Sequence, residues 1–285
     1  MSRPPFKLML PAAIESPVVV ASPHSGRIYD ADFMASTVLD AARIRSSEDA
    51  YVDVLLDRIP TLGVPVLSAQ MPRAFLDLNR APEELDPAVI DDVPRGAMNP
   101  RVASGLGVIP RVVAQGRAIY SGKISHAEAQ HRIDTFWRPY HRQLDVLMSN
   151  ARDRFGQAIL LDFHSMPHEA IEGTVVSGAP AQIVLGDRFG SSANAVLVDI
   201  LEETLTDLGF RVARNAPFAG AYITQAYGHP ERGWHAIQIE IDRSLYLDEG
   251  SIRPNTQFDV LQNTITEAVS RFCDCTRPAR NLAAE

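Results

Sequence analysis

The sequence predicts an α/β fold in which a single, mostly parallel or mixed central sheet is flanked by helices. Short apolar runs without polar alternation, typical of strands covered on both faces, recur along the chain. Amphipathic helical patterns separate these runs, and this alternation is the signature of a sheet covered by helices. The 285 residues, 46% of them hydrophobic, are enough to form one domain with a substantial core.

Composition narrows the class of partner. A formal charge of -8 argues against a nucleic-acid or anionic-membrane surface, because both need a basic field. No run approaches the roughly 20 apolar residues that cross a bilayer, and the N-terminal apolar stretch is too short for a signal peptide. Cys273 and Cys275 are separated by one residue, so they cannot form a disulfide that links distant parts of the fold. We therefore expect two reduced thiols and a cytoplasmic protein. The composition gives no indication of the oligomeric state.

The first third of the chain begins with a buried strand predicted over 18–22. A helix is predicted to start at Ser46-Ser47-Glu48-Asp49, where hydroxyl caps precede acids in the first turn, and to end at Pro60 and Gly63. A second strand follows over 64–68. Residues 81–122 are rich in proline and glycine, and we expect a loop-rich insertion lying over a functional site.

The remainder begins with a capping box, in which Ser125 precedes Glu128 by three residues. It predicts a long helix through residue 151 with a bend at Pro139. The tail over about 278–285 is expected to fray. Apolar patterns predict further strands over 159–163, 182–185, 210–213 and 236–241, and helices over 193–208 and 258–272.

Two histidines stand where predicted strands end, and each is followed by serine: His24 and His164. In an open α/β sheet ligands bind at the carboxyl ends of strands, so the pair suggests a shared metal. Hydrogen-bonded structural histidines are the alternative. A catalytic zinc usually takes three protein ligands, and Glu48, Asp49 or Asp53 could supply the third. The same acids could instead stabilise the dipole of the predicted helix.

Glu240 is a carboxylate inside an apolar strand pattern. Strict alternation would place it with Gln238 on the exposed face of an edge strand. Beside a metal, a buried glutamate would instead serve as a general base with a tunable pKa. Both interpretations remain open from the residues alone.

Arginines and a glycine-bounded loop offer candidates for substrate contact. The segment 73–80 contains Arg73, Asn79 and Arg80, and arginine binds carboxylates through two parallel hydrogen bonds. Surface ion pairing is the alternative for each arginine. Residues 220–230 suit a mobile wall of a site. The histidines of the long helix, His126, His131 and His141, are interpreted as solvated or capping residues.

Taken together, the chain resembles the N-formylglutamate amidohydrolase family, which is related to zinc carboxypeptidases and aspartoacylase. The matching pieces occur in the family's order and span residues 22–246. They are Ser22-Pro23-His24-Ser25-Gly26, Asp77-Leu78-Asn79-Arg80, Asp162-Phe163-His164-Ser165, Gly220-Ala221-Tyr222-Ile223-Thr224 with Tyr227-Gly228-His229-Pro230, and Ile237-Gln238-Ile239-Glu240-Ile241-Asp242-Arg243 running to Tyr246.

The resemblance implies a phosphorylase/hydrolase-like, zinc-carboxypeptidase-like fold and a Zn²⁺ ion, or another divalent metal, held by two histidines and an acid. Carboxypeptidases take that acid three residues after the first histidine, where this chain has Arg27. The resemblance to the N-formylglutamate amidohydrolase family implies an acid from the following predicted helix, where Asp49 is preferred, with Glu48 and Asp53 as alternatives. Glu240 matches the catalytic glutamate. The remaining matches imply substrate binding by Asn79, Arg80, Tyr222, Thr224 and Arg243. Arg73, which precedes the matching segment, is expected to assist them.

The activity implied is hydrolysis of N-formyl-L-glutamate to formate and L-glutamate, a step of histidine degradation. Its partner would be a small acidic N-acyl amino acid. Two alternatives stay open. The first is a zinc hydrolase of another N-acyl amino acid or a small peptide, since the anchors recognise a carboxylate and not a formyl group. The second is a non-catalytic binder of acidic amino acids.

Overall fold

The computed structural model describes residues 4–94 and 99–277, and its centre is a seven-stranded sheet. The strands are β1 (Phe6–Met9), β2 (Val18–Ser22), β3 (Val66–Ala69), β4 (Ala158–Met166), β5 (Ile183–Gly186), β6 (Val212–Arg214) and β7 (Trp234–Asp242). Four of them, β2 to β5, are buried along their whole length, which explains why their sequences lack the polar alternation of a half-exposed strand.

The sheet is mixed, in the order β1-β3-β2-β4-β7-β5-β6. Strands β3, β2, β4 and β7 run parallel to one another, while β1 pairs antiparallel with β3. Strand β5 pairs antiparallel with β7 and parallel with β6. Because β7 lies between β4 and β5, the edge-strand interpretation of Glu240 is wrong.

Helices cover both faces of the sheet. The α-helices among the described residues are α1 (Ala31–Ser36), α2 (Val52–Leu55), α3 (Pro100–Ala103), α4 (His126–Arg132), α5 (Arg138–Phe155), α6 (Ala195–Asp207), α7 (Tyr222–Tyr227) and α8 (Phe258–Thr276). Successive residues of β2 point into opposite cores. Val18 and Val20 belong to the core that contains residues of α2, α6 and α8, and Val19 belongs to the core that contains residues of α1, α4, α5 and α7. The predicted α/β class with a mixed sheet between helices is confirmed.

The predicted strands at 18–22, 64–68, 159–163, 182–185, 210–213 and 236–241 are all present, with ends displaced by at most three residues. The serine cap is confirmed, because Ser125 Oγ accepts the Glu128 N–H at 3.1 Å. The Glu128 side chain binds Arg132 at 2.7 Å, so the reciprocal half of the predicted capping box is replaced by an ion pair. Between α4 and α5 the helix widens into a π-helical segment, Ile133–Trp137, which ends just before Pro139. The irregularity expected at that proline thus falls in the preceding turn.

The helix predicted from Ser46 is wrong in its first part. A 3₁₀ turn covers Ile44–Ser47, the backbone of Glu48 is extended, and Tyr51 takes a left-handed φ of 62° before α2 begins. Glu48 and Asp49 are therefore not first-turn residues of a helix. Both carboxylates are buried.

The loop-rich region 81–122 is described except for residues 95–98. It contains α3, a 3₁₀ turn and a hairpin of two-residue strands, Val112–Val113 and Arg117–Ala118. The predicted frayed tail, 278–285, lies outside the described residues. Among the described helices, none combines the length and the apolar character that a membrane crossing requires.

Candidate functional site

The predicted site residues meet at the carboxyl ends of three parallel strands. His24 follows β2 by two residues, and His164 lies near the end of β4. Glu240 stands opposite His164 in the register of β4 and β7. Asp49 joins them because its backbone N–H donates to the carbonyl of His24 at 3.0 Å. The sheet topology thus brings together four residues that are far apart in sequence.

Three ligand atoms converge at this point: His24 Nδ1, His164 Nδ1 and Asp49 Oδ2. The two Nδ1 atoms are 3.1 Å apart, and Asp49 Oδ2 lies 3.1 Å from that of His164 and 3.5 Å from that of His24. A tetrahedral zinc site with bonds of 2.0–2.1 Å separates its ligand atoms by about 3.3 Å. The two imidazoles and one carboxylate therefore fit a zinc-like divalent cation.

The far nitrogen of each imidazole is fixed by a carboxylate. His24 Nε2 donates to Asp77 at 2.7 Å, and His164 Nε2 donates to Asp162 at 3.0 Å. Each of these bonds requires a proton on Nε2, so Nδ1 is the nitrogen that either imidazole would offer to a metal once neutral. Carboxylate–histidine pairs of this kind orient metal-binding imidazoles and raise their basicity.

The cluster is strongly coupled electrostatically. Burial alone raises the pKa of Asp49, but hydrogen bonds from His164 and His24 hold it well below its usual range. Burial alone lowers the pKa of His164, yet the carboxylates of Asp162 and Asp49 hold it well above its usual range. Asp49 is therefore ionised, and His164 carries a proton that a cation would displace.

The two alternative acids face elsewhere. Both oxygens of Glu48 bind Arg45, at 2.9 and 3.1 Å, and Tyr29 donates to one of them. Asp53 binds Arg27 at 2.6 Å. Of the three candidates for the acidic ligand, Asp49 alone joins the two histidines.

Glu240 is buried and faces the same cavity as the ligand cluster. Its Oε1 accepts a hydrogen bond from Gln238 Nε2 at 2.9 Å. Burial raises the pKa of Glu240 to about 7, with the positive charge of His164 opposing and the carboxylate of Asp49 adding to the shift. A carboxylate with a pKa near neutrality can both accept and return a proton.

Hydrogen bonds from other parts of the chain hold the Asn79-Arg80 segment in place. His141 Nε2 donates to the Leu78 carbonyl at 2.8 Å, and Trp137 Nε1 donates to the Arg80 carbonyl at 2.9 Å. Asn79 Oδ1 accepts the Ile223 N–H at 2.7 Å. His141 is buried and burial lowers its pKa to about 4, so the expectation of a solvated or capping residue is wrong for it.

The predicted substrate contacts are only partly brought together. Arg73, Asn79, Arg80 and Arg243 line the cavity, whereas Tyr222 and Thr224 are not among its lining residues. Thr224 Oγ1 donates to the Ala221 carbonyl, and the ring of Tyr222 packs against Trp137. These two side chains support the wall and do not face its interior.

Arg243 is committed to the protein. Its Nη2 donates to Asp49 Oδ1 at 3.1 Å, its Nε to Ser165 Oγ at 3.1 Å, and its Nη1 to the Ser46 carbonyl at 3.3 Å. Asp49 thus receives Arg243 on one oxygen and faces the histidines with the other. This buried contact fixes the orientation of the carboxylate.

The cavity in front of the cluster has a volume of about 570 Å³. Region 81–122 forms one wall, and residues 217–221 form another. Several polar residues on its surface were not predicted as site residues from the sequence, among them Gln238 and Arg101. Gln238 precedes Glu240 by two residues, and this spacing on a strand is the signal that points to it. Arg101 lies in a loop region without periodicity, which offers no such signal.

A model of the N-formylglutamate amidohydrolase family matches residues 16–247. The N-formylglutamate deformylases of Pseudomonas putida and Pseudomonas aeruginosa are each 30% identical over 241 residues. The alignments cover 82% of this chain and 82% and 83% of those relatives, respectively.

Solved structures agree with this match. The crystal structure of N-formylglutamate amidohydrolase from Ralstonia eutropha JMP134 has a TM-score of 0.89 and 36% sequence identity, covering 95% of this chain and 98% of that chain. A gene product of Agrobacterium tumefaciens, with a TM-score of 0.64 and 15% identity, covers 93% of this chain and 94% of its own and shares the fold.

Proposed function

The chain belongs to the N-formylglutamate amidohydrolase family, and we propose that it hydrolyses N-formyl-L-glutamate to formate and L-glutamate with a bound divalent metal, Zn²⁺. The observation that carries this proposal is the convergence of His24 Nδ1, His164 Nδ1 and Asp49 Oδ2 beside a buried glutamate. When bound, such a cation lowers the pKa of water toward about 7 and polarises a carbonyl oxygen.

Glu240 is the proposed general base. Its ionised carboxylate takes a proton from the attacking water and returns that proton to the departing amine. The hydrogen bond from Gln238 leaves one Glu240 oxygen for this exchange. Arg73, whose Nε binds Asp77 at 2.9 Å, supports the negative charge that develops on the formyl oxygen.

Arg80 is the proposed anchor for the α-carboxylate. Its Nε and Nη1 donate to the carbonyls of Leu106 and Asn79, at 2.9 and 2.8 Å, so its Nη2 remains for a ligand. Asn79 lies beside the metal cluster, with its Nδ2 3.3 Å from His164 Nε2. Arg243 is proposed to hold Asp49 in place of its predicted contact with substrate.

The cytoplasm is the proposed location, and the two free cysteines on α8, Cys273 and Cys275, are compatible with a reducing compartment. The alternative of a different N-acyl group concerns the same site. Rates on N-formyl-L-aspartate and N-acetyl-L-glutamate, compared with the rate on N-formyl-L-glutamate, decide between these substrates.

The test is formate release by purified, zinc-loaded protein and by its Glu240→Gln variant. We expect the variant to keep its zinc and to lose roughly 10²- to 10⁴-fold in kcat, the usual contribution of a positioned base. Glu203→Gln, the same change at an exposed position of α6, should retain full activity. Undiminished turnover in Glu240→Gln with zinc bound would refute the role of Glu240. Absence of formate release by the wild type would refute the activity itself.

A further inference from the structure

The cavity carries more positive than negative side chains. Two carboxylates line it, those of Asp49 and Glu240. Four guanidinium groups face them, on Arg73, Arg80, Arg101 and Arg243. Even before a divalent cation is added, the balance favours an anionic ligand. N-formyl-L-glutamate carries two carboxylates, so the proposed substrate needs two anchors.

Hydrogen bonding within the protein distinguishes these four arginines. Arg243 spends all three of its nitrogens on Asp49, Ser165 and Ser46. Arg73 is paired with the buried carboxylate of Asp77. Arg80 forms a long ion pair with Glu84, 3.9 Å between Nε and Oε2, but its Nη2 has no acceptor among the described residues. The side chain of Arg101 has no hydrogen bond or ion pair with any residue of 4–94 or 99–277. The cations left for a ligand are therefore Arg80 and Arg101.

The backbone holds these two arginines close together. Arg80 Nε donates to the Leu106 carbonyl at 2.9 Å, and the Leu106 N–H donates to the Arg101 carbonyl at 2.8 Å. Burial lowers the pKa of Arg80, and the positive charge of Arg101 contributes to the same shift. Glu84, whose Oε2 lies 3.9 Å from Arg80 Nε, offsets part of this positive charge. The two adjacent guanidinium groups still form a site that the carboxylates of a substrate would neutralise.

The segment around Arg101 is itself well held. Asn99 caps α3 by accepting the N–H groups of Arg101 and Val102, and Arg111 Nη2 donates to the Ala103 carbonyl at 3.2 Å. The free side chain of Arg101 thus projects from a backbone whose position is fixed. A charged side chain that has no partner in the protein but is attached to a fixed backbone is well placed to bind and orient a ligand.

We propose that Arg101 binds the side-chain carboxylate of the substrate, while Arg80 holds the α-carboxylate, and that Arg101 makes the enzyme selective for N-formyl derivatives of dicarboxylic amino acids. This inference rests on the proposed function. The α-carboxylate is two bonds from the nitrogen that bears the formyl group, so it stays near the metal cluster. The side-chain carboxylate extends farther, toward the wall formed by region 81–122, where Arg101 lies.

The experiment compares N-formyl-L-glutamate with N-formyl-L-glutamine, which has nearly the same shape but a neutral side chain. For Arg101→Met we expect kcat/KM on the glutamate substrate to fall roughly 10- to 100-fold, mainly through KM, as the loss of a hydrogen bond between charged groups implies. Activity on the glutamine substrate should change by less than about threefold, since a neutral amide gains little from the guanidinium. Arg101→Lys should recover part of the loss.

The matched control is Arg142→Met, the same substitution at an exposed residue of α5 outside the cavity, which should leave both substrates unaffected. Thermal unfolding of Arg101→Met should match the wild type, because the side chain is exposed and forms no hydrogen bond or ion pair with the described residues. Equal losses on the two substrates, or an undiminished preference for glutamate, would overturn the role of Arg101 while leaving the proposed function intact. A wild-type protein that releases no formate overturns both.

Discussion

At the scale of single residues, the neighbouring acids Glu48 and Asp49 have opposite surroundings. Both are almost fully buried, yet Glu48 is neutralised by Arg45 while Asp49 faces two imidazoles. The extended backbone at Glu48, with φ -70° and ψ 136°, separates the directions of the two side chains. A structural ion pair and the proposed metal ligand thus stand side by side in the chain.

Removing one negative charge at each position tests this division. Asp49→Asn should lower zinc affinity by about a hundredfold or more, since even the partners of metal ligands contribute 10- to 100-fold. Glu48→Gln should bind zinc within a few-fold of the wild type but unfold more easily, by about 1–3 kcal/mol, because Arg45 and Tyr29 lose a charged partner. Competition with a chromophoric chelator measures the affinity, and urea titration the stability. Equal zinc affinity in the two variants would contradict the assignment.

The sequence indicates some site residues and conceals others for identifiable reasons. His24, His164 and Glu240 are predictable because each interrupts an apolar strand pattern, and strand ends converge in this fold. The sequence predicts that Arg243 binds substrate, but its donors are occupied by Asp49 and Ser165 in the fold. The sequence does not reveal these contacts. Arg101 lines the cavity because of the course of the loop-rich region 81–122, and such a region has no periodic sequence signal from which this position could be predicted.

At the scale of secondary structure, local signals predict the strands well and the segment after Ser46 badly. Hydroxyl residues followed by acids are typical of a helix start. Here the acids have other partners than a helix dipole: Glu48 pairs with Arg45, and Asp49 faces the two histidines of the proposed metal site. Strand β1 was not predicted, because its pairing with β3 lies 57 or more residues away along the chain. Its four residues have no fully buried face to mark them.

Strand β5 affects the shape of the cavity although none of its residues lines the cavity. It ends at Gly186, which lies opposite Gln238 of β7. A Cβ atom at Gly186 would stand 2.7 Å from the Ala219 carbonyl carbon and 2.8 Å from the Gly220 nitrogen. Residues 217–221 line the cavity, so the missing side chain lets this wall approach the sheet.

Gly186→Ala should therefore displace the wall. We expect a loss of about 1–3 kcal/mol in the free energy of unfolding, as for overpacking in a core, together with a lower kcat/KM at unchanged zinc content. Gly173→Ala is the control, because no atom lies within 4 Å of a Cβ at that position and its φ is not left-handed. Urea titration and steady-state kinetics measure both effects. If the two variants are equally stable and active, the wall does not depend on this close approach.

At the scale of the whole molecule, the proposed metal ligands come from parts of the chain that are distant in sequence and are brought together only by the fold. His24, Asp49 and His164 come from three segments separated by 25 and 115 residues along the sequence. Without a cation, the folded state holds an ionised carboxylate and a protonated imidazole in a buried place, where charges are costly. The unfolded chain loses this arrangement, so a bound cation should favour the folded state.

Zinc should therefore raise the thermal stability of the protein. At free zinc 100-fold above its dissociation constant, linkage gives about 2.7 kcal/mol, or an increase of about 5–10 °C in Tm for a chain of this size. The increase should be smaller at pH 6 than at pH 8, because the pKa of His164 is raised and its proton competes with the metal at the lower pH. Unfolding scans of chelator-treated protein, with and without zinc at each pH, measure the change. Asp49→Asn should remove most of the increase, and an equal increase in that variant would show that the stabilising zinc binds elsewhere.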